Sequence, residues 1–339
     1  MKMNGSFSSD GNVTEPGEWA AGRTVASVIL GLSFLVGTPG NLLVIWTILR
    51  HVQPRSHTVL LILNLAVADL LVLITLPLWI YSLADAWVFG EAACKAMVYV
   101  IYACMYSSVF LISTMSVERC VAILYPFALH GWRKEGVMAK VLVVILVLAF
   151  IFSIPVILTQ RVDVTAGKEE CTYRNYTSDS QEISCLVLET SVGFIFPFSI
   201  LLVCYSQVGR RLKQMTLRNK HRSIALITSV VVAFAVLWFP HHVLNVLSVV
   251  SLLLEDSEAL DDFLGSAFFL SGALAFISSC INPLLYSFAA RRFQSSLKET
   301  KLSRLFQDIA TNTSQFKGTA SSLTSERQNA AELALDTVV

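Results

Sequence analysis

Residues 94–120 read CKAMVYVIYACMYSSVFLISTMSVERC. Cys94 and Arg119 are 25 residues apart, about 37 Å in a helix rising 1.5 Å per residue, against a hydrocarbon core about 30 Å thick. One helix of this stretch therefore reaches both faces of a membrane. Its first end offers an oxidisable thiol. Its last end carries a carboxylate beside a guanidinium, Glu118-Arg119, just before apolar sequence gives way at Tyr125-Pro126. A charge at the membrane edge is a functional signal by default, the plainer alternative being an arginine that snorkels to headgroups.

The rest of the chain decides between them. At 339 residues it has the length of two soluble domains, but 55% hydrophobic residues against 14% charged and a mean hydropathy of +0.64 make the bilayer its solvent. Apolar spans are expected at 25–49, 59–83, 94–124, 141–158, 186–208, 224–252 and 263–288, all of helix length and too long for barrel strands. The fold class is therefore all-α membrane protein, a seven-transmembrane helix bundle. The organisation expected is an extracellular segment 1–24, the bundle 25–288, an amphipathic cytoplasmic helix 289–309 and a disordered tail 310–339 rich in Ser, Thr and Asn. That last helix carries Phe293, Leu297, Leu302 and Leu305 among Arg291, Arg292, Lys298, Lys301 and Arg304, which suits the membrane surface and its lipids.

Charge orients the bundle. The segments 50–58, 125–140, 209–223 and 289 onward hold most of the Lys and Arg, while 253–262 has Glu255, Asp256, Glu258, Asp261 and Asp262 without one. The positive-inside rule puts the basic segments in the cytoplasm and the N-terminus outside, at the plasma membrane. No secretory signal precedes the first span, which is expected to do the targeting. The net charge of +1 points to no nucleic-acid partner. Sequons at Asn4, Asn12 and Asn175 fall on outside segments, whereas the one at Asn312 falls inside, where no glycan is added. Of seven cysteines, Cys104, Cys120, Cys185, Cys204 and Cys280 lie in or at the edges of spans as small hydrophobes. Cys94 and Cys171 lie outside, and a bridge between them would tie the second outer loop to the third span.

Polar residues inside the spans are few and therefore informative. Asn41 follows Gly37-Thr-Pro-Gly, whose small residues permit close helix approach, and needs a buried partner, for which Asp69 on the second span is the candidate. Asp69, with apolar sequence on both sides, must neutralise, pair or hold a cation. Pro77 is expected to kink the second span, and the fourth is expected to end near Pro155. Glu189 sits in the fifth span, Phe234 and Trp238-Phe-Pro240-His-His242 in the sixth, and Ser278-Ser279 and Asn282-Pro283-Leu-Leu-Tyr286 in the seventh.

Asn41, Leu65-Ala-Val-Ala-Asp69, Glu118-Arg119-Cys120, Trp238-Phe-Pro240 and Asn282-Pro283-Leu-Leu-Tyr286, in this order on spans one, two, three, six and seven, resemble the rhodopsin-like G-protein-coupled receptors over residues 25 to about 305. The chain departs from that family at Glu118 and Cys120, where Asp and Tyr are more usual, and at Leu146, where a Trp is usual. Within the family, Cys104-Met-Tyr106-Ser-Ser108, Leu188-Glu189-Thr-Ser-Val-Gly-Phe194 and Pro240-His-His242-Val-Leu-Asn245 resemble stretches of leukotriene B4 receptors, as do Arg161 and Arg174. Val98 departs from them, a histidine standing there in a subfamily member.

The resemblance implies no enzyme and no cofactor beyond an allosteric sodium ion, held by Asp69, Ser108 and Ser278 with Asn41 and Asn282 near. It implies a switch in which Arg119 pairs with Glu118 at rest and is released as the sixth helix bends at Pro240 and swings outward, with Tyr205, Phe234, Trp238, Pro283 and Tyr286 taking part. Its partners would be a lipid carboxylate of the leukotriene B4 type, a heterotrimeric G protein of inhibitory type, and arrestin after tail phosphorylation. The ligand would bind Tyr102, Tyr106, Arg161, Arg174, Glu189, Trp238, His242 and Asn245, the two arginines meeting its carboxylate at the rim unless they pair with Asp163, Glu169 or Glu170. A formyl-peptide or other small chemoattractant is the second reading. Ile101 stands where an amine receptor would have its carboxylate, and the second outer cysteine pair of chemokine receptors is missing. A secondary transporter using Asp69 and Glu189 is the alternative of another class; the sequence shows no internal repeat to support it. No His-Glu-x-x-His motif suggests a zinc enzyme.

Overall fold

The computed structural model describes residues 17–52, 57–125, 136–165, 167–212, 220–254 and 258–291. The N-terminal sequons Asn4 and Asn12, the expected amphipathic helix beyond Arg291 and the tail lie outside them.

The first crossing is α1 (Gly17–Thr47), closed by a π turn at Ile48–Val52. The second is broken in two, α2 (His57–Leu73) and α3 (Leu76–Ala84). The break corrects the expected kink at Pro77: the helix stops before that proline, at Ile74-Thr75, and restarts with Pro77 in its first turn, where the missing N–H costs nothing. The third crossing, α4 (Gly90–Leu124), runs 35 residues without a break. The fourth pairs α5 (Val137–Phe152) with α6 (Ile154–Thr159) across a turn at Ser153. It therefore passes the end expected near Pro155, and for the same reason, since Pro155 opens the second piece.

A two-stranded antiparallel hairpin follows, β1 (Gln160–Thr165) and β2 (Lys168–Arg174), with Gln160 opposite Arg174 and a bulge between Arg161 and Asp163. The fifth crossing is α7 (Asp179–Thr190), a π turn at Ser191–Ile195 and α8 (Phe196–Leu212). The sixth is α9 (Lys220–Leu254) and the seventh α10 (Glu258–Arg291). Among the described residues, six crossings are long and apolar enough to span a bilayer, and α10 adds an apolar stretch at Leu270–Pro283.

The uninterrupted α4 is the hub: α2, α5, α6, α8, α9 and β1 all pack on it. In lipid no hydrophobic force drives helices together, so close approach has to come from small residues. A Cβ on Gly37 would sit 2.6 Å from Cys280 Cβ, and one on Gly40 2.9 Å from Pro283 Cβ. These two glycines bring α1 against α10. Asn41, one turn on from Gly37, donates to the Gly37 carbonyl at 3.0 Å and to the Ser279 carbonyl at 2.9 Å. Its partner is thus the backbone of the seventh crossing and not Asp69.

The hairpin covers one end of the bundle. Cys94 and Cys171 are joined in a disulfide, their Cα atoms 5.7 Å apart, which is the bridge the sequence suggested. Trp87 N–H donates to Glu169 O at 2.7 Å, Asn175 N–H donates to Thr159 O at 2.8 Å, and Arg23 of α1 pairs with Glu170.

Candidate functional site

Below the hairpin, polar side chains from three elements, α4, β2 and α9, converge on Glu189 of α7, which is 4% exposed. Tyr102 OH donates to its Oε1 at 3.2 Å, Asn245 Nδ2 donates to the same oxygen at 3.2 Å, and His241 Nε2 lies 2.6 Å from it. Because a carboxylate only accepts, that imidazole nitrogen carries its proton. Arg174 Nη1 reaches Oε2 at 3.2 Å and Tyr176 OH at 3.3 Å; Nη2 donates to Tyr102 OH, and the guanidinium lies 5.0 Å from the Tyr102 ring centre. Burial works against the Arg174 charge, but Tyr102 and Glu189 outweigh it and raise the group above its ordinary range. The buried acid is therefore neutralised inside the protein.

The two arginines expected at the rim are separated. Gln160 faces Arg174 across the hairpin, so the neighbouring Arg161 points to the other face. There it lies 3.4 Å from Glu91 and donates to the Gln160 carbonyl at 3.1 Å. Neither arginine takes the partners weighed for it, and Glu170 belongs to Arg23.

Aromatic side chains wall the cluster. Tyr106 lies against Phe110 and Phe152, with ring centres 6.2 and 6.0 Å away. Phe194 stacks on Phe198 and on His242 at 5.4 and 5.0 Å. The π turn at Ser191–Ile195 presents Gly193 there, and a Cβ on it would meet His242 at 3.4 Å. Both ring nitrogens of the buried His242 are without a hydrogen-bond partner among the described residues. Trp238 donates to Ser278 Oγ at 3.1 Å, joining α9 to α10.

Deeper in, Asp69 accepts from Asn282 Nδ2 at 2.8 Å, with Ser279 beside it. Ser108 is half-buried on α4. Asp69 and Asn282 are themselves buried. At the opposite end of the bundle, Thr58 stands between Glu118 and Arg119. Its hydroxyl donates to Glu118 Oε2 at 2.8 Å and accepts from Arg119 Nη2 at 2.9 Å. The pairing expected of those two charges thus runs through a third residue. Tyr205 is half-buried on α8, and Pro240 lies within α9 without ending it. The side chains of Phe234 and Tyr286 lie outside the described residues. Asn175 is exposed beside the hairpin.

The profile of the 7 transmembrane receptor (rhodopsin family) matches residues 40–286. The chain belongs to the rhodopsin-like family of seven-transmembrane receptors. It is 36% identical to leukotriene B4 receptor 1 of Homo sapiens over 270 residues, covering 78% of this chain and 76% of that one. It is 33% identical to human leukotriene B4 receptor 2 over 298 residues, 85% and 82% of the two chains. N-formyl peptide receptor 2 of Gorilla gorilla gorilla is 30% identical over 321 residues, 89% and 91% of the two chains. As a rhodopsin-like receptor the protein is a multi-pass membrane protein and a G-protein-coupled receptor, not an enzyme.

Sequence reasoning missed His241, Thr58, Tyr176 and Arg23. Adjacent histidines on a helix point about 100° apart, and only the packing of α7 on α9 shows that His241 is the one that meets Glu189. Thr58 carries no charge to mark it in an apolar span.

Proposed function

We propose that this receptor lies in the plasma membrane with its N-terminus and hairpin outside and binds a lipid chemoattractant with a long apolar chain, hydroxyls and one terminal carboxylate. Leukotriene B4 is the named candidate. The observation that carries this reading is the polar cluster on Glu189 set among aromatic walls. The walls suit a chain, whose burial contributes about 25 cal/mol per Å². The cluster and the unpartnered nitrogens of His242 suit hydroxyls, since a buried donor or acceptor left unpaired costs about 1–3 kcal/mol. The similarity to leukotriene B4 receptors supports the same ligand class.

Arg174 is the proposed partner of the carboxylate. Its side chain is 21% exposed, so a ligand acid can approach and share the guanidinium with Glu189, whereas Arg161 sits on the other face of the hairpin. Arg174→Ala is expected to weaken the acid much more than its methyl ester, and Arg161→Ala to weaken both little and alike. Competition binding of acid and ester on intact cells measures this. Equal losses for acid and ester at Arg174 would return the carboxylate to an unknown place.

The signal would pass to a heterotrimeric G protein of inhibitory type as α9 swings outward about Pro240 and frees Arg119, with arrestin following tail phosphorylation. A formyl peptide is the second reading, favoured by the similarity to N-formyl peptide receptor 2. Displacement of labelled leukotriene B4 by unlabelled lipid, tested beside formyl peptides, separates the two.

Asp69, Asn282 and the serines Ser108, Ser278 and Ser279 offer only hard donors besides one amide nitrogen, which fits a sodium ion and not a soft metal. Such an ion would neutralise Asp69 and favour the arrangement that holds it. If the ion binds the inactive arrangement better, agonist affinity falls as sodium rises. Equal agonist affinity in sodium and in a bulky organic cation would refute the coupling.

A further inference from the structure

The charges around Glu189 cancel as they stand, and a ligand carboxylate disturbs that balance. Glu189 lies 3.2 Å from Arg174 and 2.6 Å from His241 Nε2. One carboxylate and one guanidinium sum to zero, so the imidazole need supply only its Nε2 proton. A second carboxylate sharing Arg174 leaves the cluster with an excess negative charge beside an acid that is 4% exposed. With so little water about, an uncompensated charge is strongly disfavoured. The anion has to bring a cation or a proton with it.

Few of the groups that face this spot can take a proton. Tyr102 and Tyr106 come from α4, Arg174 and Tyr176 from the hairpin and its exit, and Cys185 from α7. All of these already hold their protons at neutral pH. From the seventh crossing, residues 263–283 contain no Asp, Glu, His, Lys or Arg. The two imidazoles of α9 are left as bases. His242 is stacked on Phe194, and neither of its nitrogens has a hydrogen-bond partner among the described residues, so a positive charge there would be buried unpaired. His241 has a carboxylate oxygen within hydrogen-bond reach.

We infer that His241 is the residue that lets this buried site accept an anion. As the ligand carboxylate settles on Arg174, His241 Nδ1 takes a proton from water while Nε2 keeps the one it donates to Glu189. The imidazolium so formed replaces the share of Arg174 that Glu189 gives up, and two carboxylates then face two cations. The inference rests on the lipid-carboxylate reading above. Because the complex holds one proton more than the separate receptor and acid, affinity for the acid rises as pH falls. The rise reaches about tenfold per pH unit while His241 of the free receptor is uncharged. A methyl ester brings no charge and calls for no proton, so preference for acid over ester grows as the surroundings acidify.

Binding of labelled leukotriene B4 to the full-length receptor in membranes, with its methyl ester as competitor, is measured from about pH 6 to 8, where the ligand's own carboxyl is ionised throughout. The expected result is a Kd for the acid that falls several-fold toward the acid end, and a Kd for the ester that changes little. His241→Gln, whose amide still donates to Glu189 but takes no proton, should flatten the acid curve, as should His241→Phe. His242→Gln should keep the slope whatever it does to affinity. Calorimetry of the purified receptor in two buffers of different ionisation enthalpy should read about one proton taken up with each acid bound and none with the ester.

A flat acid curve in a receptor that binds leukotriene B4 overturns the proton uptake. Equal slopes for acid and ester detach the proton from the ligand carboxylate, and an unchanged slope in His241→Gln detaches it from His241; either overturns the inference while the lipid reading stands. Where one variant at His241 fails to reach the membrane, the other decides, and the calorimetric proton count needs neither. A receptor that binds neither acid nor ester at any pH overturns the lipid reading and this inference with it.

Discussion

Glu189 holds Arg174, His241, Tyr102 and Asn245 in place from a position with almost no solvent. Removing its charge leaves the half-buried Arg174 guanidinium without its counter-ion; breaking a fully buried pair costs about 3–5 kcal/mol, and partial exposure makes the loss here smaller. Glu189→Gln is therefore expected to lower the thermal midpoint of the purified receptor. His241→Phe removes one hydrogen bond but leaves the ion pair, and should lower it less. Equal midpoints for Glu189→Gln and the unmodified receptor would show that the pair contributes nothing to the fold. Glu189 was legible in the sequence because an acid in an apolar span must find partners. Its partners were not legible, since Arg174 arrives from a strand and His241 from another helix.

At the scale of elements, the contact of α1 with α10 depends on what two glycines lack. Ala is the better helix former by about 0.5–1 kcal/mol, so Gly→Ala at an open position should be neutral or slightly stabilising. Gly31, with nothing within 4 Å of an added Cβ, is that position. Gly37→Ala would instead place its methyl 2.6 Å from Cys280 Cβ, and Gly40→Ala meets Pro283, a rigid ring. Overpacking of this kind costs about 1–3 kcal/mol. Thermal denaturation in lipid should thus separate Gly37→Ala and Gly40→Ala, both destabilised, from Gly31→Ala. A destabilised Gly31→Ala together with an unaffected Gly37→Ala would remove the close approach as the cause. The small residues announced a helix contact without naming the neighbour. The hairpin was not announced at all: a two-stranded ribbon is barely stable by itself, and this one exists through its disulfide and its anchors on the helices.

Across the whole molecule, the crossings were legible because membrane helices satisfy their own backbone and so leave a continuous apolar signature. Their ends and breaks were less so, since Ile74-Thr75 and Ser153 interrupt helices where the apolar run continues. Even the pairing of Glu118 with Arg119 needed the fold, because Thr58 belongs to another crossing and enters only when α2 packs on α4. That threonine joins both charges, and a hydrogen bond to a charged group contributes about 1.5–3 kcal/mol. If the joined state is the resting one, Thr58→Val destabilises it selectively, and a loss at the lower end of that range shifts the balance toward the released state roughly tenfold. Ligand-independent nucleotide exchange on the G protein should then rise in membranes bearing Thr58→Val, while Thr58→Ser, which keeps the hydroxyl, should stay near the unmodified level. Valine keeps nearly the same volume and removes the hydroxyl, so the loss it causes is that of the two hydrogen bonds. Basal exchange that is the same in both variants at matched surface levels would show that the Thr58 link accompanies the resting state without holding it.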